Sequence, residues 1–200
     1  MSSGQLRLLA ASADTAAVLA TSVLEGRRRG GTALVGIDGR SGAGKTALAG
    51  ALVHALEASG TRAVVVHLDE VYAGWDGLAP ALPVVREGVL APLVLGQPGE
   101  FTRWDWHRDG PAETVAVPAA PVVVVEGVGA VAADPSAYDL TVWAHAPAAV
   151  RRRRSLVRDG QTFAPHWDRW AAQEDAVLGP DAGPVAPWPV DAVVTADDDA

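Results

Sequence analysis

Cysteine is absent from this 200-residue chain, and lysine occurs only once, at Lys45. A chain without cysteine forms no disulfide, has no thiolate nucleophile and offers no sulfur ligand to zinc. The absence also fits a reducing compartment, and we expect a cytoplasmic protein. No apolar run is long enough to span a bilayer. The sequence therefore predicts a soluble protein without a membrane partner, whose chemistry uses no thiols.

Basic residues are outnumbered as well: the chain has 16 Lys and Arg residues and 24 Asp and Glu residues, so its formal net charge is −8. Proteins that bind DNA or RNA broadly carry a basic surface that neutralises the phosphates. We therefore expect no nucleic-acid partner. The sequence leaves the oligomeric state open, and a homo-oligomer is among the options.

Hydrophobic residues make up 49% of the chain and charged residues 20%, which is the composition of a folded domain. The length suits one domain over residues 1–200. Apolar, β-branched runs alternate with helical patterns, as in βαβ units around a parallel sheet. We predict an α/β fold with a mainly parallel five-stranded sheet flanked by helices. The predicted strands are 33–37, 63–68, 121–125, 140–144 and 190–195.

Residues 1–30 are predicted to form an N-terminal helix, because apolar residues recur at spacings of three and four between Leu6 and Leu24. Further helices are predicted to begin near Gly44, near Pro83, after Pro147 and after Pro165. Residues 96–118 show no regular pattern. We expect a long connection there, of the kind that often carries function.

The segment 39–46 reads Gly-Arg-Ser-Gly-Ala-Gly-Lys-Thr and fits the motif G-x-x-x-x-G-K-[ST] at every position. A predicted strand precedes it and a helix rich in alanine and leucine follows it. Glycines let the backbone N–H groups approach phosphate oxygens, and the N-terminus of the following helix favours anions. The predicted nucleotide-binding residues are Gly39, Ser41, Gly42, Ala43, Gly44, Lys45 and Thr46.

ATP and Mg²⁺ are the cofactors that this loop predicts. Lys45 is expected to bridge the β- and γ-phosphates, and the Thr46 hydroxyl to ligate Mg²⁺. The alternative is a glycine-rich turn with an incidental lysine, although the single lysine of the chain occupies the required position. No G-x-G-x-x-G follows this strand, which disfavours a dinucleotide fold. The guanine-reading Asn-Lys-x-Asp element of GTPases is impossible in a chain without asparagine.

Acidic residues follow two of the predicted strands. Asp69 and Glu70 come after the strand 63–68, and Glu126 comes after the strand 121–125. The carboxyl ends of parallel strands form the edge where ligands gather. Phosphoryl transfer needs one group to accept the proton of the attacking hydroxyl and another to hold Mg²⁺ or its water shell. The alternative is that these acids are solvated turn residues.

Taken in order, these motifs resemble the uridine kinase branch of the P-loop small-molecule kinases. The resemblance rests on the phosphate loop, on His-Leu-Asp-Glu-Val-Tyr at 67–72, on Trp-Asp-Trp at 104–106 and on Val-Glu-Gly at 125–127. It implies a P-loop NTPase fold with a small mobile lid. It also implies transfer of the ATP γ-phosphoryl group to a small-molecule hydroxyl, with a uridine- or cytidine-like nucleoside as the favoured acceptor.

The resemblance also implies roles for individual residues. In that family an Asp-x-Phe-Tyr element follows the second strand, and its Asp is the catalytic base. The matching positions here are Asp69 and Tyr72, with Val71 where the family has an aromatic residue. Glu126 is expected to help Thr46 hold Mg²⁺, directly or through water.

The Trp-Asp-Trp element is similar to the Tyr-Asp-Phe element that lines the nucleoside site of the family. Aromatic rings could stack on a base, and a carboxylate could accept hydrogen bonds from sugar hydroxyls. His107, the next residue, could read a base edge. The alternative is that the tryptophans pack in the core. The predicted substrate residues are Tyr72, Trp104, Asp105, Trp106 and His107.

Three arginines of the predicted helix after Pro147 lie on one helical face, because Arg151, Arg154 and Arg158 are spaced i, i+3 and i+7. Guanidinium groups are suited to spreading the charge that develops on a transferring phosphoryl group. The resemblance implies that they belong to a lid at about residues 150–165. The predicted catalytic residues are these three arginines, Lys45 and Asp69. A solvated basic face is the alternative.

Two other functions stay open at this point. A P-loop kinase for a non-nucleoside alcohol or acid would share all of this chemistry and differ only in its acceptor pocket. A regulatory ATPase would bind the nucleotide without a small-molecule acceptor, and it would need no base beside the γ-phosphate. Asp69 is therefore the residue that discriminates between a kinase and a switch.

Overall fold

The computed structural model describes residues 7–26, 31–181 and 183–196. The strands of this part of the chain are β1 Arg7–Ala10, β2 Ala33–Asp38, β3 Ala63–His67, β4 Gly99–Asp105, β5 Gly110–Val117, β6 Val122–Glu126, β7 Leu140–His145 and β8 Ala192–Thr195. The α-helices are α1 Ala13–Gly26, α2 Lys45–Ala58, α3 Leu78–Val84, α4 Ala91–Val94, α5 Ala130–Ala133, α6 Ala148–Phe163 and α7 Trp167–Leu178.

Six of the strands form one parallel sheet in the order β1-β8-β7-β2-β6-β3. This confirms the predicted α/β fold with a parallel sheet flanked by helices, but the predicted number of five strands is wrong. The register brings the carboxyl ends of three neighbouring strands to one edge. Ile37 at the end of β2 and His67 at the end of β3 both lie opposite Glu126 of β6. The acids predicted to form the site therefore share that edge.

The sixth strand of the sheet is β1, which lies within the segment predicted as an N-terminal helix. Residues 7–10 instead pair with β8 at the edge of the sheet, with Leu9 opposite Val194. The helix α1 begins after Ser12, whose hydroxyl accepts a hydrogen bond from the backbone N–H of Thr15 at 3.2 Å and caps the helix. Residues 1–6 and 27–30 of the predicted helix lie outside the described residues.

The stretch predicted as an irregular connection is an antiparallel hairpin with a register shift between Thr102 and Trp104. Strands β4 and β5 pair outside the main sheet, from Gly99 opposite Val117 to Asp105 opposite Gly110. At the turn, Asp109 adopts a left-handed backbone with φ 48° and Gly110 follows it. The four residues 106–109 form the turn, and aspartate tolerates the left-handed backbone better than most residues. The tip of this hairpin lies close to the loop after β3.

The main sheet is buried on both faces, as expected when helices cover a parallel sheet. Consecutive residues of β2 face opposite sides, so Leu34 packs with the layer that includes α3 and α7, while Val35 packs with α1 and α2. A π-helical stretch, Val85–Leu90, joins α3 and α4 into one helical segment, with Pro83 inside α3. Within the described ranges, no helix is both long enough and apolar enough to cross a membrane.

Candidate active site

The phosphate loop joins β2 to α2 and is shaped by contacts that only glycine permits at two positions. Gly39 has φ 144°, and a Cβ there would lie 2.2 Å from the carbonyl oxygen of Ala144. Gly42 has φ 78°, and a Cβ there would meet the carbonyl oxygen of Arg151 at 2.2 Å. Both values are in the range that residues with a side chain rarely adopt. These two glycines therefore set the curvature of the loop against β7 and α6.

The loop surrounds a cavity of about 340 Å³. Five loop residues line this cavity: Ser41, Gly42, Gly44, Lys45 and Thr46. The other two predicted nucleotide-binding residues, Gly39 and Ala43, are buried and do not line it. The Nζ of Lys45 donates a hydrogen bond to the carbonyl oxygen of Arg40 at 3.1 Å, so the ammonium group lies across the loop. Close-packed glycines at the N-terminus of α2 and a buried ammonium group are features that hold a polyphosphate. The residues present therefore fit ATP.

Asp38, the last residue of β2, was not among the predicted site residues. It is fully buried, and its carboxylate accepts hydrogen bonds from four backbone N–H groups, at Gly39, Gly129, Val131 and Ala132, over distances of 2.7–3.3 Å. Burial raises its pKa to about 6, despite the opposing effect of these hydrogen bonds and of the Lys45 charge. Asp38 ties the phosphate loop to the loop after β6.

Glu126 lies beside the phosphate loop, as expected, and is connected to Thr46. The Thr46 hydroxyl donates to Oε1 of Glu126 at 3.0 Å, and Nδ1 of His67 lies 2.6 Å from the same oxygen. Burial acts to raise the pKa of Glu126, but the hydrogen bond from His67 and the charge of Lys45 outweigh it and lower the pKa. The same hydrogen bond raises the pKa of His67.

These groups fit Mg²⁺ held partly by phosphate oxygens. Within the described ranges, no three or more His, Cys, Asp or Glu side chains are grouped so that they could hold a metal ion by themselves. Magnesium is commonly bound through one or two protein ligands together with the phosphates of the substrate and water. The hydroxyl of Thr46 and the ionised carboxylate of Glu126 supply oxygen ligands of that kind.

A second cavity of about 540 Å³ adjoins the first. Five residues line both cavities: Ser41, Thr46, Asp69, Glu126 and Arg158. The second cavity is otherwise walled mainly by aromatic side chains, namely Tyr72, Trp75, Trp106, Phe163 and Trp170. We name the first space the phosphate cavity and the second the acceptor cavity.

Asp69 stands where the two cavities meet. It belongs to a short 3₁₀ turn, Leu68–Glu70, at the end of β3. The indole N–H of Trp106 donates a hydrogen bond to the backbone carbonyl oxygen of Asp69 at 2.8 Å. The tip of the β4–β5 hairpin is thereby fixed to the turn that carries the predicted base.

The structure separates the predicted substrate residues. Trp106 and Tyr72 line the acceptor cavity, although Tyr72 is buried and its hydroxyl donates to the carbonyl oxygen of Val128 at 2.8 Å. Trp104 and His107 line neither cavity. Asp105 lines neither cavity either. Its Oδ1 accepts hydrogen bonds from the backbone N–H groups of His107 at 2.9 Å and Arg108 at 3.1 Å. Its carboxylate caps the hairpin turn.

The three arginines of α6 also have different surroundings. Arg154 and Arg158 line the phosphate cavity. Arg151 is buried and does not line it; its guanidinium group lies 2.5 Å from Oδ2 of Asp181 and donates to the carbonyl oxygen of Ala146 at 3.1 Å. The helix is interrupted at Gly160, where φ is 53° and ψ is −132°. Beyond this kink, Thr162 and Phe163 line the acceptor cavity.

A buried acidic residue of α7 forms a hydrogen bond with the backbone of the phosphate loop. Glu174 is 2% exposed, and its Oε1 accepts the backbone N–H of Ser41 at 2.7 Å. Its other oxygen lies 3.6 Å from Arg40 and 3.9 Å from Arg151. Arg40 also pairs with Asp175 at 2.8 Å and bonds the carbonyl oxygen of Gly179. The cluster joins the loop, α6 and α7.

Trp75 lines the acceptor cavity; from the sequence, contact with the acceptor and packing alone were both open for this residue. Its ring stacks with His166 at a centroid distance of 4.2 Å and with Phe163 at 5.4 Å. It meets Trp106 edge to face at 5.0 Å. These contacts form a continuous aromatic wall between the hairpin and the segment after Gly160.

Solved structures of kinases have the same fold. A candidate fructose transport system kinase from Silicibacter sp. TM1040 is 25% identical, with a TM-score of 0.57 over 89% of this chain and 98% of that chain. A possible uridine kinase from Bacillus stearothermophilus is 19% identical, with a TM-score of 0.56 over 82% and 94% of the two chains. D-glycerate 3-kinase from Cryptococcus neoformans var. grubii is 15% identical, with a TM-score of 0.60 over 93% and 96%.

These three similarities confirm the fold that the resemblance to P-loop kinases implied. The two structures with less than 25% identity show the fold alone. The candidate fructose transport system kinase also supports the prediction of an ATP-dependent small-molecule kinase. No protein-family model and no curated protein matches the sequence.

Proposed function

We propose that the protein transfers the γ-phosphoryl group of Mg·ATP to a hydroxyl group of a small molecule, with Asp69 as the base. The observation that carries this proposal is that Asp69 lines both the phosphate cavity and the acceptor cavity. A group that accepts the proton of an attacking hydroxyl must reach the acceptor at the point where it meets the γ-phosphate. A regulatory ATPase would need neither this carboxylate nor an aromatic cavity beside it.

ATP would supply the phosphoryl group; Thr46 with Glu126 would hold Mg²⁺, which when bound would neutralise charge on the phosphates. The acceptor oxygen forms its bond to the γ-phosphorus as the bond to the bridging oxygen of ADP breaks, and Asp69 takes the hydroxyl proton. Lys45, Arg154 and Arg158 face the phosphates and spread the developing charge. The aromatic wall excludes water, which would otherwise compete as an acceptor.

A nucleoside is the acceptor that we favour, because the exposed face of Trp106 and the ring of Trp75 border the cavity and flat rings stack on bases. A non-nucleoside alcohol such as a sugar is the second candidate. The resemblance to uridine kinases implies that Asp105 binds the sugar hydroxyls of a nucleoside. Instead, its carboxylate accepts two backbone N–H groups of the hairpin turn, and this observation favours the second candidate.

The proposal is tested by an ADP-release assay with Mg·ATP and a panel that includes uridine, cytidine, fructose and D-glycerate. Asp69→Asn should lower kcat by about 10²–10⁴ and leave the affinity for ATP nearly unchanged. Asp168→Asn, on the exposed start of α7, is the matched control and should retain wild-type turnover. Full turnover by Asp69→Asn contradicts the assignment of the base, and acceptor-independent ATP hydrolysis across the panel supports the regulatory ATPase instead.

A further inference from the structure

His67 and Glu126 are neighbours in the main sheet, and their side chains form a hydrogen bond. The parallel register of β3 and β6 places His67 directly opposite Glu126. The Nδ1 of His67 lies 2.6 Å from Oε1 of Glu126. Because both residues belong to paired strands and not to a loop, the sheet itself keeps the imidazole ring beside this carboxylate.

His67 is the donor in this hydrogen bond. A carboxylate accepts hydrogen bonds, so the proton lies on Nδ1 of the imidazole. The charges of Glu70 and Asp69 also act on His67, but the hydrogen bond to Glu126 is the largest of the causes that raise the pKa of His67. His67 is therefore directed to Glu126 among the acidic residues around it.

The two oxygens of the Glu126 carboxylate have different surroundings. Oε1 accepts hydrogen bonds from the Thr46 hydroxyl at 3.0 Å and from His67. In the part of the chain that the structure describes, no hydrogen bond reaches Oε2. The ammonium group of Lys45 acts on the carboxylate by its charge, but donates its hydrogen bond to Arg40. One oxygen of Glu126 is therefore held by two donors, and the other is left for a ligand.

Two donors on one oxygen restrict a side chain that would otherwise rotate. The last bond of a glutamate side chain has a broad range of torsion angles. The Thr46 hydroxyl can keep its proton on Oε1 while its lone pairs bind a cation, but this hydroxyl rotates as well. The planar ring of His67 has no such freedom at Nδ1. His67 lines the acceptor cavity and not the phosphate cavity, so it reaches Glu126 from outside the space for the phosphates.

We infer that His67 is a positioning residue for the magnesium site, which orients Glu126 toward the Mg²⁺ of the bound nucleotide without contacting the phosphates. This inference rests on the proposed kinase function and adds a residue to its metal site. Loss of a hydrogen-bond partner of a metal ligand typically lowers metal affinity by about 10–100-fold. Removal of the imidazole should therefore weaken the binding of the metal–nucleotide complex and leave the binding of the metal-free nucleotide unchanged.

The test measures by calorimetry how much Mg²⁺ strengthens the binding of a non-hydrolysable ATP analogue, as the ratio of its dissociation constants with EDTA and with Mg²⁺. His67→Ala should lower this ratio about tenfold or more, through the measurement with Mg²⁺ alone. His67→Asn should retain most of the ratio, because its side-chain N–H group can replace that of Nδ1. His54→Ala, at an exposed position of α2 that lines neither cavity, is the matched control and should keep the wild-type ratio.

A double variant shows whether His67 acts through Glu126. Glu126→Gln should lower the ratio by itself, and the addition of His67→Ala should lower it no further. Additive losses overturn the inference, and so does an equal loss of affinity with EDTA and with Mg²⁺, or a loss in His67→Asn as large as in His67→Ala. The side chain of His67 is 41% exposed, so the alanine variant should fold, which thermal unfolding checks; His67→Ser takes its place otherwise.

These titrations need no acceptor, so they separate the role of His67 from the kinase proposal. If no acceptor of the panel is phosphorylated but His67→Ala loses the effect of Mg²⁺, the kinase proposal fails and the role of His67 stands. If turnover depends on Asp69 but His67→Ala keeps the wild-type ratio, the kinase proposal stands and the role of His67 is overturned. A wild-type protein whose affinity for the analogue does not change with Mg²⁺ overturns that role as well.

Discussion

The carboxylate of Glu174 accepts a hydrogen bond from the backbone N–H of Ser41 at 2.7 Å, across 133 positions of the sequence. A residue of α7 therefore holds the phosphate loop in place. The same carboxylate lies between Arg40 and Arg151, at 3.6 and 3.9 Å. Because all three side chains are buried, each depends on the others for its counter-charge.

Glu174→Ala should be strongly destabilising. It removes the acceptor of the Ser41 N–H and leaves two buried guanidinium groups with less counter-charge, at a cost of about 3 kcal/mol. Glu174→Gln keeps an oxygen for Ser41 but loses the charge, so it should unfold less readily than the alanine variant and show a raised KM for ATP with a smaller change in kcat. Urea unfolding and initial-rate kinetics measure both effects. Equal stability of the alanine variant and the wild type would contradict the role of this cluster.

The arginines of α6 should separate into two classes. Arg151→Ala should lower the free energy of unfolding by about 3 kcal/mol, because it removes the ion-pair partner of Asp181 and leaves Glu174 with Arg40 alone. Arg154→Ala and Arg158→Ala should lower kcat by about tenfold or more with little change in stability, because these side chains line the phosphate cavity. Thermal unfolding and ADP release distinguish the classes. Arg151→Ala with normal stability and a selective loss of kcat would return Arg151 to the catalytic group.

Lys45 is the only lysine, which permits a chemical test of the nucleotide site. Lys45→Ala should lower kcat by about 10²–10³, since no other ammonium group is available from a lysine side chain. Amine-directed acetylation followed by peptide mass spectrometry should modify Lys45 more slowly when Mg·ATP is present. Equal labelling of Lys45 in both conditions would exclude it from the phosphate site.

Trp106 should affect turnover through its hydrogen bond to the backbone of Asp69. Trp106→Phe keeps an aromatic ring but removes the indole N–H, so the turn that carries the base is less firmly held and kcat should fall about tenfold. Trp104→Phe is the matched control, because the indole nitrogen of Trp104 has no hydrogen-bond partner in the described structure and its ring lines neither cavity. A similar kcat for both variants would show that the hydrogen bond is unimportant for turnover.

Asp38 should give stability an unusual dependence on pH. Burial raises its pKa from 3.8 to about 6, so the folded protein holds this proton more tightly than the unfolded chain. The contribution of Asp38 is complete below about pH 4 and is lost as the pH rises to about 6, by about 3 kcal/mol. Asp38→Asn should be less stable overall but lack this decrease. Urea unfolding of both proteins between pH 4 and 7 measures the difference in slope, and parallel profiles would contradict the raised pKa.

The local motifs were predictable because their chemistry is encoded in consecutive residues. The phosphate loop needs its glycines, lysine and threonine at fixed spacing, and the acids at the ends of β3 and β6 follow runs of valine. The surroundings of Glu174 and Asp38 were not predictable in this way. Their hydrogen bonds join residues about 90 to 130 positions apart, and a single acidic residue in a helix or strand gives no signal of such a partner.

Other errors came from patterns that fit two structures. The apolar spacing around Leu9 suits a helix, but residues 7–10 gain strand pairing with β8 at the edge of the sheet. The charged stretch after Gly99 looked irregular, because its strands join through a four-residue turn and their register shifts between Thr102 and Trp104. Asp105 fits a family motif by its identity. Because it lies just before a turn, its carboxylate accepts hydrogen bonds from nearby backbone N–H groups, and these compete with any ligand for the same carboxylate.

The boundary shared by the two cavities links the binding of their occupants. Ser41, Thr46, Asp69, Glu126 and Arg158 belong to both, so a molecule in one cavity changes the field and the packing that the other presents. Thermodynamic reciprocity then requires that nucleotide and acceptor alter each other's dissociation constant by the same factor. Dissociation constants for either molecule measured alone will therefore differ from those measured with the other one in place.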